Sequence, residues 1–206
     1  SSLSSYFFSV SKLNQSNILI NDDYKRYNVR LNLDIEVTKW MKLGVQSFVT
    51  TSDYSGASPS MGDLQSLVPC VPVYDVNNEL IQYPYKGTVN PLLQIQQDNL
   101  DKRMNIFANF YADIDIPYIK GLNYRANFSQ NLITTKKYNF NNTALNFQGS
   151  AYKNYSSVYN WTLDNILTYK RTFKDHTVNA TLVYGVESRE GEGTDATAQM
   201  FINNVL

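Results

Sequence analysis

The sequence predicts an all-β fold, an antiparallel up-and-down meander of about seven long strands. Three observations predict it: residues alternate between apolar and polar with a period of two, the alternating segments are long, and short and long connections take turns along the chain. The clearest segment, "YKRYNVRLNLDIEV" at 24–37, has apolar or aromatic residues at one parity and polar or charged residues at the other. Side chains of a strand point alternately to opposite faces, so this is one strand with an apolar and a polar face. It is more than twice as long as the usual strand of about 5–6 residues.

The same alternation recurs along the chain with varying clarity. The predicted strands are centred on residues 6–11, 24–37, 43–49, 104–116, 122–129, 155–169 and 178–187. The second clear ladder lies at 104–116, where Met104 and Ile106 begin an apolar series and Asn105 and Phe107 begin the series of the opposite face.

The connections differ in length in a regular way. Those after the second, fourth and sixth strands are turns of about four or five residues, and "PYIKG" combines Pro, which lacks a ladder donor, with Gly, which permits positive φ. Those after the first, third and fifth strands span roughly 14–23, 52–103 and 134–150, and the seventh strand runs into the Gly-rich "EGEGTDATAQ". Short and long connections therefore lie at opposite ends of the sheet, which is typical of outer-membrane barrels.

Length and polarity of the ladders favour a lipid environment over a soluble core. Every backbone polar group must be paired inside hydrocarbon, and a tilted strand crosses it in about 9–11 residues. The residues expected to face lipid are Tyr27, Val29, Leu31, Leu33, Ile106, Ala108, Phe110 and Ile114, and those expected to face inward are Arg30, Asn32, Asn109 and Asp113. Trp40, Tyr118 and Phe173 would form an aromatic girdle at the short-turn interface. A soluble secreted β-sandwich, such as a carbohydrate-binding module, also has one apolar and one wet face, so periodicity alone leaves that alternative open.

Composition excludes several other classes. The 206 residues hold 18 basic and 18 acidic side chains, so bulk charge does not indicate a nucleic-acid partner. The one cysteine, Cys70, excludes an internal disulfide framework. No apolar run reaches about 18 residues, so no transmembrane helix is predicted. Because the chain begins Ser1-Ser2 without a signal peptide, we interpret it as a segment excised from a longer protein.

Several blocks of the sequence resemble one family. These blocks are "NDDYKRYNVRLNLDIEVTKWMKLG", "YSGASPS", "PVYDVNNEL", "NPLL", "FANFYADIDIPYIKGLNYRANFS", "NWTLDNILTYKRTF" and "HTVNATLVYGVES". In this order they are similar to the barrel of SusC/RagA-type TonB-linked outer-membrane transporters. The resemblance implies a barrel of about 22 strands around an N-terminal plug, a SusD-like surface lipoprotein as a lid, and import of glycans or peptides energised through the TonB complex. Residues 1–206 would then be a partial barrel segment, with the plug and the remaining strands outside it.

The connection at 52–103 carries signals of its own. Ser58-Pro59-Ser60 followed by Asp63 predicts a capped helix start, and "VYDVNNELIQYP" predicts a small hairpin around Asn77-Asn78. We therefore expect an ordered external loop that packs over the barrel mouth. The resemblance implies that it contacts the lid or the substrate.

Binding is a more plausible activity than catalysis. The candidate substrate-binding residues are Phe107 and Tyr111 on the predicted lumen face and Tyr74, Tyr83 and Tyr85 in the long connection. Aromatic rings beside amides and carboxylates can stack on sugars or hold peptides, although packing within the loop and at an interface is the simpler explanation of these residues.

No enzyme activity, cofactor or metal site is predicted. His176 lies in a predicted turn, and a polar lumen accounts for Asp113 and Asp115 without acid–base chemistry. Asp75 and Glu79 lie in a stretch that lacks the glycine and the full ligand spacing of a calcium loop.

Overall fold

The computed structural model describes residues 4–142 and 149–201, and its strands form one antiparallel sheet. The strands are β1 Ser4–Ser16, β2 Asp23–Thr38, β3 Met41–Asp53, β4 Asp98–Asp115, β5 Leu122–Asn141, β6 Ser150–Phe173 and β7 His176–Gln199. They pair in chain order from β1 to β7, so the predicted seven-stranded meander is confirmed. Within the described ranges all named strands belong to this sheet, and the sandwich alternative therefore lacks its second layer.

The register separates two faces across the sheet. Val29 pairs with Val49, and Val49 pairs with Ile106, so these side chains project to one side. Asn32 pairs with Gln46, and Gln46 pairs with Asn109, on the other side. We call these sides the apolar face and the polar face. The pairing places all residues predicted to face lipid on the apolar face and all residues predicted to face inward on the polar face.

The apolar face is largely uncovered. Tyr6 and Leu182 are 82% and 68% exposed at opposite edges of the sheet, and Phe110 on the central strand β4 is 44% exposed. In the part of the chain that the structure describes, Pro91 and Leu93 are buried, and both lie in the long connection between β3 and β4. A sheet with this much exposed apolar surface needs a further apolar environment to cover it.

Several strands extend further than the sequence pattern indicated. The expectation that "EGEGTDATAQ" is a connection was wrong: β7 runs through it to Gln199, because Gly191 and Gly193 pair with Val158 and Ser156 of β6. Backbone pairing along a long neighbouring strand thus outweighs the low strand propensity of glycine. The long connection shortens to residues 54–97, because Ser52 and Asp53 still pair with β4.

The other long connections also shorten. The one after β1 covers residues 17–22 and the one after β5 covers residues 142–149. Residues 143–148 of the latter, which fell inside the predicted 134–150 connection, lie outside the described residues.

The long connection from β3 to β4 contains two short helices, α1 Met61–Ser66 and α2 Pro91–Gln94. The Ser60 side chain caps α1 by accepting a hydrogen bond from the backbone N–H of Asp63, as the sequence predicted. Among the described residues, neither helix has the length and apolar character needed to cross a membrane.

Candidate binding surface on the polar face

A hydrogen bond crosses an entire strand on the polar face. Tyr111 on β4 donates from its hydroxyl to Asp34 Oδ1 on β2, at 2.5 Å. Gly44 on β3 lies between them, paired with both residues. A Cβ at position 44 would lie 2.3 Å from the Tyr111 ring and 2.6 Å from Asp34 Oδ1, so glycine is needed for the phenol to reach the carboxylate.

The other side of Tyr111 is held by β5. The Arg125 guanidinium lies 4.6 Å from the ring centroid of Tyr111 and 3.7 Å from Asp113 Oδ2. Asn123 donates to both Asp113 and Asp115, at 2.6 and 3.0 Å. The carboxylates of Asp113 and Asp115 therefore belong to a paired network. Tyr111 is held in place within this network on both sides.

An aromatic pair with two unpaired acceptors lies further along the polar face. The rings of Phe48 and Phe107 stack with centroids 5.2 Å apart and planes inclined by 21°. Asn131 pairs directly with Phe107 across the ladder, and Asn105 is two residues away on the same strand and face. The side-chain oxygens of Asn105 and Asn131 are both buried without a hydrogen-bond partner. Buried acceptors without partners are uncommon in proteins. Because both oxygens are buried, an O–H or N–H donor of a solute reaches them only when the neighbouring side chains move aside.

The long connection is organised around Asn90. This side chain is fully buried. It donates to the carbonyl oxygens of Val73 and Ile81, at 2.9 Å each, and accepts from the backbone N–H of Leu92 at 3.0 Å. One amide thus ties the hairpin to the start of α2. The sequence pattern gave no sign of this role beyond the Asn-Pro dipeptide at the helix start.

The predicted hairpin is present in the long connection. Tyr74 and Leu80 form an isolated bridge, and Asn78 adopts φ of 63° at the turn. Asp75 Oδ1 accepts from the backbone N–H groups of Asn77 and Glu79, at 2.8 Å each. The carboxylate that could have suggested a calcium loop therefore stabilises the turn itself.

The structure places the predicted site residues in two groups. Phe107 and Tyr111 lie on the polar face of β4. The other three, Tyr74, Tyr83 and Tyr85, lie in the long connection that joins β3 to β4. Tyr74 and Tyr83 are 47% and 43% exposed. Tyr85 bridges to Thr88 and has the Lys86 ammonium 5.2 Å from its ring centroid. Their role in binding stays a prediction. The alternation at 104–116 placed Asn105 on the same face as Phe107, whereas Phe48 and Asn131 were not predicted as part of this surface.

The long connection is anchored to the end of the sheet. Tyr54 donates its backbone N–H to Asp101 O at 2.8 Å, and Asn99 donates to Gly56 O at 3.0 Å. Asp101 binds Arg103 through two hydrogen bonds of 3.1 Å and lies 3.3 Å from Lys137 Nζ. Burial acts to raise the pKa of Asp101, but the hydrogen bonds and charges of Arg103 and Lys137 outweigh it and hold the pKa below its ordinary value. The carboxylate thus stays ionised where the connection meets the sheet.

Together, the two faces and the meander define the class of fold: an all-β, open antiparallel sheet with one apolar and one polar face. No family model matches the chain. It is similar to the TonB-dependent receptor P3 of Formosa agariphila, with 24% identity over 218 residues, which cover 98% of this chain and 22% of that protein. It is also similar to structures of the RagAB peptide importer. The closed-closed state matches with a TM-score of 0.77 at 19% identity, covering 98% of this chain and 24% of that one. The open-open state matches with a TM-score of 0.73 at 20% identity, covering 95% and 24%.

These similarities confirm the resemblance to TonB-linked transporters of the SusC/RagA type, in sequence likeness and in fold. The chain spans about a quarter of the length of the proteins it matches. It therefore corresponds to one part of those proteins.

Proposed function

We propose that the chain forms part of the wall of an outer-membrane transport barrel, with the apolar face toward lipid and the polar face toward the lumen. The observation that carries this proposal is the apolar band itself. It extends over residues 27–37 of β2 and 104–114 of β4, which lie at the same level of the sheet on either side of β3. This length matches the roughly 9–11 tilted residues that cross hydrocarbon. On β2 and β4 the charged side chains of this span lie on the opposite face, where they avoid the cost of contact with lipid.

Polar side chains on the apolar face support the same proposal. Tyr124 donates to Asn165 Oδ1 at 2.6 Å, and Tyr159 donates to Gln130 Oε1 at 3.1 Å. Ser47 donates to Leu31 O at 3.2 Å. A surface that faces water has no need to pair such groups internally, whereas in hydrocarbon an unpaired polar group costs several kcal/mol.

The whole protein, on this proposal, imports glycans or peptides and draws energy from the TonB complex. The similar structures are titled as a peptide importer, which supports a peptide substrate. The stacked rings of Phe48 and Phe107 on the polar face support a solute that stacks on an aromatic surface. A SusD-like surface lipoprotein is the proposed partner, and the protein acts in transport without catalysing a reaction.

Deletion of the whole gene in the source bacterium tests the proposal. In the wild-type strain, we expect to find the protein in the outer-membrane fraction after the membranes are washed at alkaline pH. We also expect the deletion strain to lose uptake of either a labelled peptide pool or a labelled oligosaccharide pool. A proton-motive-force uncoupler should abolish the same uptake in the wild type. Recovery of the protein in a soluble fraction, or unchanged uptake of both pools, would overturn the proposal.

Two point variants connect the test to this segment. Asn105→Leu and Asn131→Leu remove the free acceptors, and Asn109→Leu serves as a control because the Asn109 oxygen is already engaged by Ser129. The first two should weaken uptake through a higher KM at normal protein levels. An equal effect of all three variants would argue against a specific role for the unpaired oxygens.

A further inference from the structure

A row of basic side chains borders the apolar band at the end of the long connections. Lys25 on β2 pairs with Asp53 on β3, Asp53 pairs with Lys102 on β4, and Lys102 pairs with Lys136 on β5. Because paired residues of neighbouring strands project to the same side, the three lysines and Asp53 lie in one line on the apolar face. All three lysines are exposed.

The row forms one wall of a concave pocket of about 300 Å³. The opposite wall is the next row of the sheet toward the apolar band. The side chains of this second wall are Tyr27, Thr51, Met104 and Thr134. The pocket is therefore charged on the side away from the band, and carries hydroxyl and apolar groups on the side toward it.

The charge of the pocket favours an anion. Asp53 lies 3.4 Å from Lys102 Nζ and offsets one of the three ammonium groups. Burial acts to raise the pKa of Asp53, but hydrogen bonds from Ser55 and the charge of Lys102 outweigh it, so the carboxylate stays ionised. Two net positive charges remain along the row. Arg103 also lines the pocket but is engaged by Asp101.

Two further lysines extend the positive surface on the same face. Lys12 lies 5.5 Å from the ring centroid of Tyr27, and Lys153 lies 5.1 Å from that of Tyr138. Lysines and tyrosines in alternation are typical of the level at which a membrane protein meets lipid headgroups.

We propose that this pocket binds the phosphorylated headgroup of a membrane lipid, with the acyl chains lying along the apolar band below it. The inference rests on the proposed function, because it requires the apolar face to contact lipid. A phosphate matches the clustered ammonium donors of the row. The apolar wall at Met104 and the exposed band beneath it give acyl chains a surface that a free anion would not use.

Titration of the full-length protein in a neutral detergent, followed by native mass spectrometry, tests the proposal. The probes are dilauroyl phosphatidic acid and dilauroylglycerol, which share their chains and differ in the phosphate. We expect phosphatidic acid to bind the wild-type protein more tightly than dilauroylglycerol, by roughly 30-fold for two net charges. Equal binding of the two lipids would overturn the proposal.

The lysine variants locate the site. The triple variant Lys25→Gln, Lys102→Gln, Lys136→Gln should lose the preference for the phosphorylated lipid. A matched triple variant at the opposite end of the sheet, Lys39→Gln, Lys120→Gln, Lys174→Gln, makes the same charge change and should keep it. Equal loss in both triple variants would overturn the proposal, because it would show a response to net charge alone.

A variant that should strengthen phosphatidic acid binding keeps the proposal testable if the triple lysine variant does not fold. Asp53→Asn removes the offsetting carboxylate and should tighten phosphatidic acid binding several-fold, without changing dilauroylglycerol binding. Unchanged or weaker phosphatidic acid binding would contradict the proposal. Displacement of the lipid by millimolar inorganic phosphate would also contradict it, by showing a free-anion site.

Failure of this proposal differs from failure of the transport proposal. A protein that sits in the outer membrane and supports uptake, yet shows no preference for the phosphorylated lipid, overturns only the lipid site. A protein found in a soluble fraction overturns both.

Discussion

The carboxylate of Asp164 on β6 lies over Gly185 on β7, so that a Cβ at position 185 would come within 2.8 Å of Asp164 Oδ1. The same relationship joins Asp34 and Gly44 on β2 and β3, where Tyr111 completes the row. In both places a glycine directly opposite an aspartate lets a polar side chain lie flat across the neighbouring strand. Glycine weakens a strand in general, and here close approach of a side chain provides the reason for it.

Substitution of Gly44 tests this arrangement. Gly44→Ala should lower the thermal unfolding temperature of the full-length protein in detergent, because the added methyl group would overlap the Tyr111 ring and Asp34. Overpacking of this kind typically costs about 1–3 kcal/mol. Gly191→Ala is the matched control, since the nearest atom to a Cβ there is 3.8 Å away. Equal unfolding temperatures for the two variants would show that Tyr111 is free to move aside.

The hydrogen bond between Tyr111 and Asp34 should have a measurable coupling energy. Tyr111→Phe leaves the part-buried Asp34 carboxylate without this donor and should destabilise the protein by about 1–3 kcal/mol. Asp34→Asn should cost less in the Tyr111→Phe background than alone, giving a coupling energy of about 0.5–3 kcal/mol in a double-mutant cycle. Chemical unfolding of the four proteins measures it. Additive effects would mean that the short contact contributes nothing to stability.

The two faces of the sheet could be predicted from the sequence because they depend on a local rule, the alternation of side chains along a strand. The end of β7 could not, because residues 190–199 become a strand only through pairing with β6. The Phe48–Phe107 stack was missed for a related reason. Phe48 was passed over in a short ladder, and only the register of β3 against β4 places it opposite Phe107. Asn90 was missed because its partners, Val73 and Ile81, come from a hairpin whose packing leaves no periodic signal.

Asn90 offers a test of how the long connection is held together. Asn90→Asp keeps an acceptor for the start of α2 but loses the amide donor to Val73 and Ile81, and it adds a charge at a fully buried position. We expect the 54–97 connection to become much more sensitive to limited proteolysis on intact cells, while the barrel stays inserted. Asn77→Ala, at an exposed position in the hairpin turn, is the control. Similar digestion of the two variants would show that the connection is ordered by other contacts.

The ion pairs of Asp101 should make this anchoring depend on pH. Because the pKa of Asp101 is held below its ordinary value of 3.8, its contribution to stability is present above that value and is lost as the pH falls through the lowered pKa. Asp101→Asn should therefore destabilise the anchor at pH 7 and make a smaller difference at pH 2, below the ordinary pKa of the carboxyl. Proteolysis with an acid-active and a neutral protease, on wild type and variant, measures the difference. A penalty of the same size at both pH values would contradict this assignment.

Deletion of residues 61–85 in the full-length protein tests the proposal that the long connection acts at the mouth of the barrel. The deletion removes α1, the hairpin and the three candidate tyrosines, Tyr74, Tyr83 and Tyr85, but leaves the anchor at Tyr54 and Asp101 in place. At normal outer-membrane levels, we expect reduced pull-down of the partner lipoprotein or reduced uptake of substrate. A triple Tyr→Phe variant at the same positions should behave like wild type if the rings act by stacking, and like the deletion if their hydroxyls bind. Unchanged pull-down together with unchanged uptake in the deletion would reduce the connection to a passive surface.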